Sequence, residues 1–331
     1  MRYLVTGTAG FIGFHLAKKL LDLGNEVLGI DNLNSYYSIE LKQARHNILK
    51  QYSNFTEAVL DLCDLEALST CIDKYAPERI CHLAAQAGVF YSLKNPLAYK
   101  HSNLEAFCNI IELAHQRNIK KFVYASSSSI YGDSNNIPYK ESQIVDQPIS
   151  LYAATKRCNE LIAYTYSHNY DMQTIGLRFF TVYGPWGRPD MALWKFTDAI
   201  YEGKELTLYN YGHNYRDFTY IDDIIQGLYA VLTKNIPERY EIFNLGNHRS
   251  ENIKMLVKYI EQYLHKQAII ELVPPQQGDV FQTYADISHA HEVLDYMPTT
   301  NIEQGTASFL QWYQEHESLV QPIRKQRYAI S

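Results

Sequence analysis

The chain has 331 residues, an apolar share of 46% and a formal net charge of −6. This length allows two domains, or one large domain with an insertion, around an ordinary hydrophobic core. The negative charge argues against nucleic acids and anionic membranes as partners, because both favour basic surfaces. No stretch approaches the roughly 20 apolar residues of a membrane span, and the N-terminus has no apolar signal region. We therefore expect neither a membrane nor a nucleic-acid partner.

The cysteine and histidine patterns predict neither disulfides nor a metal centre. The five cysteines are scattered, odd in number and contain no C-x-x-C pair, which fits a reducing cytoplasm. The twelve histidines contain no H-x-x-x-H pair. We therefore expect no bound metal and a cytoplasmic location.

The first half of the chain alternates short apolar runs with amphipathic stretches, a pattern typical of β-α-β units in a parallel sheet. Strands are predicted at 2–7, 26–31, 55–62, 79–85 and 119–132. Helices are predicted at 11–24, 65–76 and 104–118. The pattern predicts an α/β fold with a doubly wound parallel sheet.

The regular alternation fades after about residue 180, where Gly, Pro and aromatic residues dominate. We predict a first domain at 1–180 and a smaller, discontinuous mixed α/β domain at 181–316. The segment at about 216–246 contains strand-like and helix-like runs that partly return to the first sheet. The polar segment 317–331 is predicted to be a frayed tail, because chain ends are usually poorly ordered.

The segment "VTGTAGFIG" places Gly7, Gly10 and Gly13 between a predicted strand and a predicted helix. Missing side chains there permit a tight turn and let a pyrophosphate approach the helix N-terminus. Asp31 ends the next strand, where it can accept hydrogen bonds from an adenosine ribose and repel a 2′-phosphate. The unit predicts a Rossmann-type domain that binds NAD, against the alternative of a purely structural glycine turn.

A second motif is "SLYAATK", in which Tyr152 and Lys156 lie one helical turn apart. Such pairs also arise by chance in a chain with 28 tyrosines. The order of glycine loop, strand-end serine at Ser127 and Tyr-x-x-x-Lys resembles the short-chain dehydrogenases/reductases. The resemblance implies that Tyr152 is the catalytic base, that Lys156 stabilises its anion and bonds the nicotinamide ribose, and that Ser127 bonds the substrate oxygen.

The same resemblance implies the contacts of the cofactor. Bound NAD is expected to touch the glycine loop, the ends of the next strands and the catalytic pair. These residues are Gly7, Gly10, Phe11, Ile12, Gly13, Asp31, Asn32, Asp61, Leu62, Ala84, Ala85, Tyr152 and Lys156.

Further segments resemble the extended, sugar-nucleotide-modifying branch of this superfamily over residues 1 to about 313. They are "HLAAQAGV", "SSSSIYG", "SLYAATK" and "RDFTYIDD". The stretches "LRFFTVYGPWGRPDMA" and "DNLNSYYSIELKQAR" are similar to the UDP-glucuronate 4-epimerases in particular. The resemblance implies a UDP-sugar substrate, NAD as cofactor and inversion at C4 through a transient 4-keto sugar.

Related dehydratases and decarboxylases carry an acid beside the serine that matches Ser127, whereas this chain has Ser128 and Ser129. The missing acid favours oxidation and re-reduction at one carbon. Together with Thr181, these serines are candidates for binding a C6 carboxylate. The alternative for Thr181 is an ordinary β-branched residue at the end of a strand.

By the same resemblance, Arg216 binds the UDP diphosphate, Arg188 contacts the substrate nearby and Asp279 binds the uridine ribose. Each could instead belong to a surface ion pair. Two positions depart from the family pattern: Phe90 replaces an arginine, and Gln277 replaces a proline. The loss of a cation at residue 90 leaves open a neutral UDP-hexose as substrate.

Three alternatives to a UDP-glucuronate 4-epimerase remain: a 4-epimerase of another UDP-hexose, a decarboxylase or dehydratase, and a non-catalytic NAD-binding protein. The resemblance also implies a homodimer built on a four-helix interface, with helices near 95–117 and 151–168.

Overall fold

The computed structural model describes residues 1–276 and 278–330. In these residues the strands are β1 (Arg2–Thr6), β2 (Glu26–Asp31), β3 (Phe55–Val59), β4 (Arg79–His82), β5 (Lys121–Ser127), β6 (Gln173–Phe179), β7 (Thr181–Tyr183), β8 (Glu205–Leu208), β9 (Tyr215–Arg216), β10 (Phe218–Tyr220), β11 (Tyr240–Leu245), β12 (Glu251–Asn252) and β13 (Ile269–Leu272).

The helices of the described residues are α1 (Phe11–Asp22), α2 (Ile39–Leu49), α3 (Leu65–Tyr75), α4 (Val89–Lys94), α5 (Pro96–Tyr99), α6 (Ala106–Gln116), α7 (Leu151–Asn169), α8 (Ala192–Glu202), α9 (Ile221–Thr233), α10 (Ile253–Leu264), α11 (Ser288–Leu294), α12 (Ile302–Glu315) and α13 (Glu317–Ile330). A π-helical turn, Lys100–Glu105, leads into α6, and a 3₁₀ turn, Ser128–Tyr131, follows β5.

A seven-stranded sheet forms the centre of the fold. Its order is β11-β6-β5-β4-β1-β2-β3, and every neighbouring pair is parallel. The order reverses between β1 and β4, the place where open α/β sheets bind ligands at their carboxyl ends. The sheet confirms the predicted doubly wound parallel architecture.

Apolar side chains cover both faces of this sheet. On one face Phe14 and Leu20 of α1 join Ile224 of α9 in one buried cluster. On the other face Leu68 of α3 and Ile110 of α6 belong to a second buried cluster. The sheet strands are rich in apolar residues because both of their faces are buried.

The second half of the chain contributes smaller pieces. Strands β7 and β10 form one two-stranded sheet, β8 and β13 a second, and β9 and β12 a third. Strand β11 pairs with β6 in the main sheet. The chain therefore passes back to the first sheet after residue 216, while the limits of the predicted domains stay a prediction.

The C-terminal segment is helical, so the predicted frayed tail is wrong over the described residues. Helix α13 buries Val320 and Arg324, which are 0% and 2% exposed. The Arg324 guanidinium forms ion pairs with Glu202 at 2.8 Å and Glu317 at 2.6 Å. It also lies 4.2 Å from the centre of the Tyr201 ring. These contacts offset the entropy of ordering a polar segment, which composition alone does not reveal.

None of the described helices combines the length with the apolar character that a bilayer crossing needs.

Candidate active site

The glycine loop between β1 and α1 has the geometry of a dinucleotide cradle. Gly7 has a φ of 76°, and a Cβ there would lie 2.9 Å from the Ala84 nitrogen. A Cβ on Gly13 would lie 2.1 Å from the Gly7 carbonyl oxygen. Only glycine allows this loop to pack so closely against the end of β4 and the first turn of α1. The open N-terminus of α1 therefore fits a pyrophosphate.

The Asp31 carboxylate lies beside this loop at the end of β2. Its Oδ2 accepts a hydrogen bond from the Ala9 nitrogen at 3.1 Å, and its Oδ1 accepts one from the Leu33 nitrogen at 2.8 Å. These bonds fix an acid where an adenosine ribose is expected. Asn32, next in the chain, donates to the Asp61 carboxylate at 2.9 Å. Asn32 and Asp61, both predicted to bind the cofactor, are therefore in contact.

A cleft of about 410 Å³ runs along the carboxyl ends of the sheet strands. Every residue predicted to bind the cofactor lines it: Gly7, Gly10, Phe11, Ile12, Gly13, Asp31, Asn32, Asp61, Leu62, Ala84, Ala85, Tyr152 and Lys156. The predicted substrate residues Ser127, Ser128, Ser129, Thr181 and Arg188 line the same cleft. The fold therefore gathers these residues into one site, while their individual roles stay predictions.

Tyr152 lies in the first turn of α7, a helix that Ser150 caps by accepting a hydrogen bond from the Ala153 nitrogen at 3.1 Å. Burial raises the pKa of Tyr152, while the Ser127 hydroxyl and the charge of Arg188 oppose that rise. The phenol is thus protonated at neutral pH in this environment. Further positive charge, such as an oxidised nicotinamide ring, would favour its anion.

Lys156 lies one turn further along α7 and is 3% exposed. Its ammonium donates to the Ala125 carbonyl oxygen of β5 at 2.9 Å, and burial lowers its pKa to about 8. The hydrogen bond fixes Lys156 against the strand that ends in Ser127. The predicted stabilisation of the Tyr152 anion by Lys156 stays a prediction.

The serine run at the end of β5 is firmly held. Ser127 Oγ accepts a hydrogen bond from the Ser129 nitrogen at 3.1 Å, which starts the 3₁₀ turn. Ser126 donates to the buried Glu160 of α7 at 2.6 Å. Glu160 also pairs with the buried Arg178 of β6 through bonds of 2.9 and 3.0 Å. This network ties the catalytic helix to the strand that carries Ser127.

The hydroxyls of Ser128, Ser129 and Thr181 line the cleft without hydrogen-bond partners among the described residues. Thr181 begins β7, and its nitrogen donates to the Asp217 carbonyl oxygen at 3.0 Å. The backbone is fixed while the hydroxyl is available, which suits hydrogen bonds to an anionic oxygen on a ligand.

Arg188 is held by residues that the sequence did not identify. Its Nε donates to Asp190 Oδ1 at 3.0 Å and its Nη2 donates to Asp190 Oδ2 at 2.5 Å. Tyr36 donates to the same carboxylate at 3.0 Å, and Arg188 Nη2 also donates to the Ala87 carbonyl oxygen at 3.2 Å. Burial lowers the pKa of Arg188, but Asp190 outweighs it and raises the pKa above its usual value. The cleft thus keeps a permanent cation in a fixed position.

Arg216 and Asp279 lie together, outside the residues that line the cleft. Their side chains form an ion pair, and Arg216 also donates to the Tyr215 carbonyl oxygen at 2.8 Å. Asn214 donates to Asp279 at 2.8 Å. The ion-pair alternative considered from the sequence is therefore present, and the predicted contacts with diphosphate and ribose stay predictions.

Of the two departures from the family pattern, residue 90 lies within the described residues. Phe90 is 37% exposed on α4 and is not among the cleft-lining residues, although its neighbour Val89 is. Gln277 lies outside the described residues. Phe90 therefore contributes no side chain to the cleft lining of the described residues.

Tyr152 and its helix also contact a segment around Tyr99 and Asn103 that the sequence did not identify. The Tyr99 ring lies edge-on to the Tyr152 ring, with 6.2 Å between their centres. In the following π-helical turn, Asn103 is buried and donates to Gln86 and Thr155, each at 3.0 Å. Turns of this kind often occur at functional sites, and this one joins the cleft wall to α7.

Asp61, Cys63 and His101 place potential ligand atoms within 4.8 Å of one another. Asp61 and Cys63 are partly buried and His101 is exposed, and exposed acidic groups are common without an ion. The expectation that no metal takes part stays a prediction.

The relatives and solved structures that this chain is similar to include UDP-sugar 4-epimerases. The chain is 42% identical to the probable UDP-glucuronate 4-epimerase of Rhizobium meliloti over 335 residues, covering 96% of this chain and 98% of the relative. The crystal structure of UDP-glucuronic acid 4-epimerase from Bacillus cereus, in complex with UDP-glucuronic acid and NAD, has a TM-score of 0.89 and 33% identity. That match covers 95% of this chain and 99% of the other.

The crystal structure of UDP-glucose 4-epimerase from Thermotoga maritima with UDP-glucose is also similar, with a TM-score of 0.86 and 28% identity over 95% of this chain and 99% of the other. The family model of the NAD-dependent epimerase/dehydratase family matches residues 3–246. This chain belongs to the NAD-dependent epimerase/dehydratase family.

Proposed function

We propose that this protein catalyses the NAD-dependent 4-epimerisation of UDP-glucuronate to UDP-galacturonate. The observation that carries the proposal is the cleft lined by Tyr152 and Ser127 together with Ser128, Ser129 and Thr181, whose hydroxyls have no hydrogen-bond partner among the described residues. Hydroxyls stand where related dehydratases and decarboxylases have an acid. The fixed cation of Arg188 lines the same cleft and suits an anionic sugar.

The reaction begins with proton transfer at the C4 hydroxyl of the sugar. Ser127 orients that hydroxyl by hydrogen bonding, and Tyr152 takes its proton as the C4 hydrogen leaves with its electron pair. NAD held in this cleft would supply the hydride acceptor, and afterwards the hydride donor, for the exchange at C4. Lys156, fixed on the Ala125 carbonyl oxygen, contributes positive charge to the Tyr152 anion.

The 4-keto sugar then presents its other face within the cleft. The hydride is returned to that face and Tyr152 gives its proton back to the oxygen, so configuration at C4 is inverted with no net oxidation. A 4-keto uronic acid is a β-keto acid and loses CO₂ when its C5–C6 bond aligns with the carbonyl π system. Hydrogen bonds from Ser128, Ser129 and Thr181 hold the carboxylate out of that alignment.

A 4-epimerase of a neutral UDP-hexose is the second candidate, and Phe90 in place of an arginine is the observation that favours it. Phe90, however, is not among the cleft-lining residues, whereas Arg188 is. Because the diphosphate of either substrate can use that cation, it is the hydroxyls of Ser128, Ser129 and Thr181 that support UDP-glucuronate over a neutral sugar.

We further propose a homodimer formed by the helices of residues 95–117 and 151–168. Large apolar side chains are exposed on or beside these helices, including Leu97 at 73%, Leu161 at 51% and Tyr164 at 50%. Burying them between two copies would give the hydrophobic contact that stable dimers need. A dimeric mass in light scattering supports this assembly, and a monomeric mass at micromolar concentration contradicts it.

We place the enzyme in the cytoplasm, in the supply of sugar nucleotides for polysaccharide biosynthesis. Its five cysteines are all free thiols, which agrees with a reducing compartment.

The function is tested by incubating the purified protein with UDP-glucuronate without added NAD and separating the nucleotide sugars by chromatography. Formation of UDP-galacturonate towards an equilibrium mixture is the expected result. A UDP-pentose as the main product would assign a decarboxylase. Turnover of UDP-glucose alone would assign the neutral-sugar epimerase.

A further inference from the structure

Arg45 is a buried arginine that hydrogen-bonds two loops, each of which contributes residues to the cleft. We call residues 7–10 the cofactor loop and residues 184–190 the substrate loop. Arg45 lies on α2 between them and is 0% exposed. Its Nη1 donates to the carbonyl oxygen of Ala9 in the cofactor loop at 2.6 Å. The same nitrogen donates to the Tyr37 hydroxyl at 2.8 Å.

The other end of the guanidinium bonds the substrate loop. Nη2 donates to the Trp186 carbonyl oxygen at 2.6 Å and to the Gly187 carbonyl oxygen at 3.2 Å. The fork of one planar group therefore sets the spacing of both loops. Arg188, which lines the cleft, follows directly after Gly187.

The substrate loop needs such support because its backbone is strained. Trp186 has a φ of 61°, a region that bulky residues rarely adopt unless their surroundings enforce it. Its ring packs against Phe14 and Trp312, with ring centres 5.6 and 5.1 Å apart. Arg45 fixes the carbonyl while the aromatic contacts fix the side chain.

The charge of Arg45 has no anionic partner among the described residues. Its hydrogen-bond acceptors are three backbone carbonyls and a tyrosine hydroxyl, and no described carboxylate forms an ion pair with it. A buried cation without a counter-ion is costly. A pyrophosphate at the α1 N-terminus would bring negative charge to the cofactor loop that Arg45 bonds.

We propose that Arg45 is a positioning residue that couples NAD binding to the arrangement of the substrate loop, and so to UDP-sugar binding. The inference deepens the proposed function and rests on it. Coupling between two binding sites is reciprocal, so a UDP ligand must tighten NAD by the same factor that NAD tightens the ligand. Arg45 carries that factor because it alone among the described residues hydrogen-bonds the carbonyls of both loops.

The test measures the NAD Kd of the purified full-length protein by equilibrium dialysis against labelled NAD, with and without saturating UDP, which binds without turnover. We expect UDP to lower the NAD Kd of the wild type by at least about 5-fold. In Arg45→Met the ratio of the NAD Kd without UDP to the NAD Kd with UDP falls to near one. The KM for the UDP-sugar rises more than kcat falls. A wild-type ratio of one, or an unchanged ratio in Arg45→Met, overturns the inference.

Arg324→Met is the matched control, because Arg324 is 2% exposed and its partners Glu202 and Glu317 lie outside the cleft lining. It should lower the Tm yet keep the wild-type ratio. Loss of the ratio in this variant would mean that general destabilisation explains the effect, which overturns the inference.

If Arg45→Met does not fold, Arg45→Lys is measured by the same criterion. A lysine keeps the charge but offers one nitrogen in place of the two that bond the two loops, so the ratio should again fall. The coupling is measured with UDP, so its outcome does not depend on which UDP-sugar the protein converts. An Arg45-dependent ratio in a protein that leaves UDP-glucuronate unchanged would therefore refute the proposed substrate and not the coupling.

Discussion

Arg188 and Asp190 form a two-bond ion pair at the wall of the cleft, with Arg188 Nε donating to Oδ1 at 3.0 Å and Nη2 donating to Oδ2 at 2.5 Å. Burial raises the pKa of Asp190, but the Arg188 charge outweighs it and lowers the pKa below the usual value. Asp190 is therefore ionised at neutral pH. The cation offered to a substrate has its direction set by this carboxylate.

Asp190→Asn should raise the KM for UDP-glucuronate about 10-fold, equivalent to about 1.4 kcal/mol, with little change in kcat. The amide keeps the shape of the side chain but removes the charge that orients the guanidinium. Steady-state kinetics measures the change. Tyr36→Phe removes only the hydroxyl that donates to Asp190 and should have a smaller effect. An unchanged or lower KM in Asp190→Asn would refute the orienting role.

Thr181→Ala should produce more UDP-4-keto-pentose for each epimerisation turnover. The variant removes one hydroxyl expected to hold the C6 carboxylate, so the 4-keto sugar reaches the alignment for CO₂ loss more often. Product ratios by chromatography measure this. Thr233→Ala removes a hydroxyl at the exposed end of α9, bonded to the Tyr229 carbonyl oxygen, and serves as the control. Equal product ratios in the two variants would remove this role from Thr181.

The activity should fall as the pH rises above about 8, because burial lowers the pKa of Lys156 to about 8 and its ammonium is then lost. Because the pKa of Lys156 is lowered to about 8, its ammonium charge is present below this pH and lost above it. Lys156→Arg keeps a cation at higher pH, so its residual kcat/KM should lack this fall. The same alkaline fall in the variant would assign it to another group.

Glu160→Gln should lower the free energy of unfolding by about 3 kcal/mol, because it leaves Arg178 buried without its counter-ion. Both side chains are almost completely buried. Urea unfolding measures the loss. Asp73→Asn, which breaks an exposed pair with Arg117, is the control and should leave the urea midpoint unchanged. A Glu160→Gln protein as stable as the wild type would contradict the stabilising role of this network.

The central sheet, and the position of the glycine loop and Asp31 at the ends of its strands, could be predicted because their signals are local. Gly7 and Gly10 lie beside a strand and a helix in the sequence, and Asp31 ends the next strand. Parallel strands meet at one edge, so residues at their ends come together without knowledge of side-chain packing.

The contacts that hold Arg188 and Arg45 could not be predicted because they join distant segments. Tyr36 and Asp190 are 154 residues apart, and neither type of residue is unusual on a surface. Arg45 belongs to a helix whose charged residues look exposed, since buried arginines are rare. The C-terminal helix was missed for a related reason, because Arg324 is stabilised by Glu202 of another helix.

The most direct test of the central claim uses UDP-glucuronate that carries deuterium at C4. Hydride removal and return at one carbon predicts UDP-galacturonate that retains the deuterium at C4, as measured by mass spectrometry and proton NMR. UDP-galacturonate that has lost the label to solvent, or no UDP-galacturonate at all, would contradict the account.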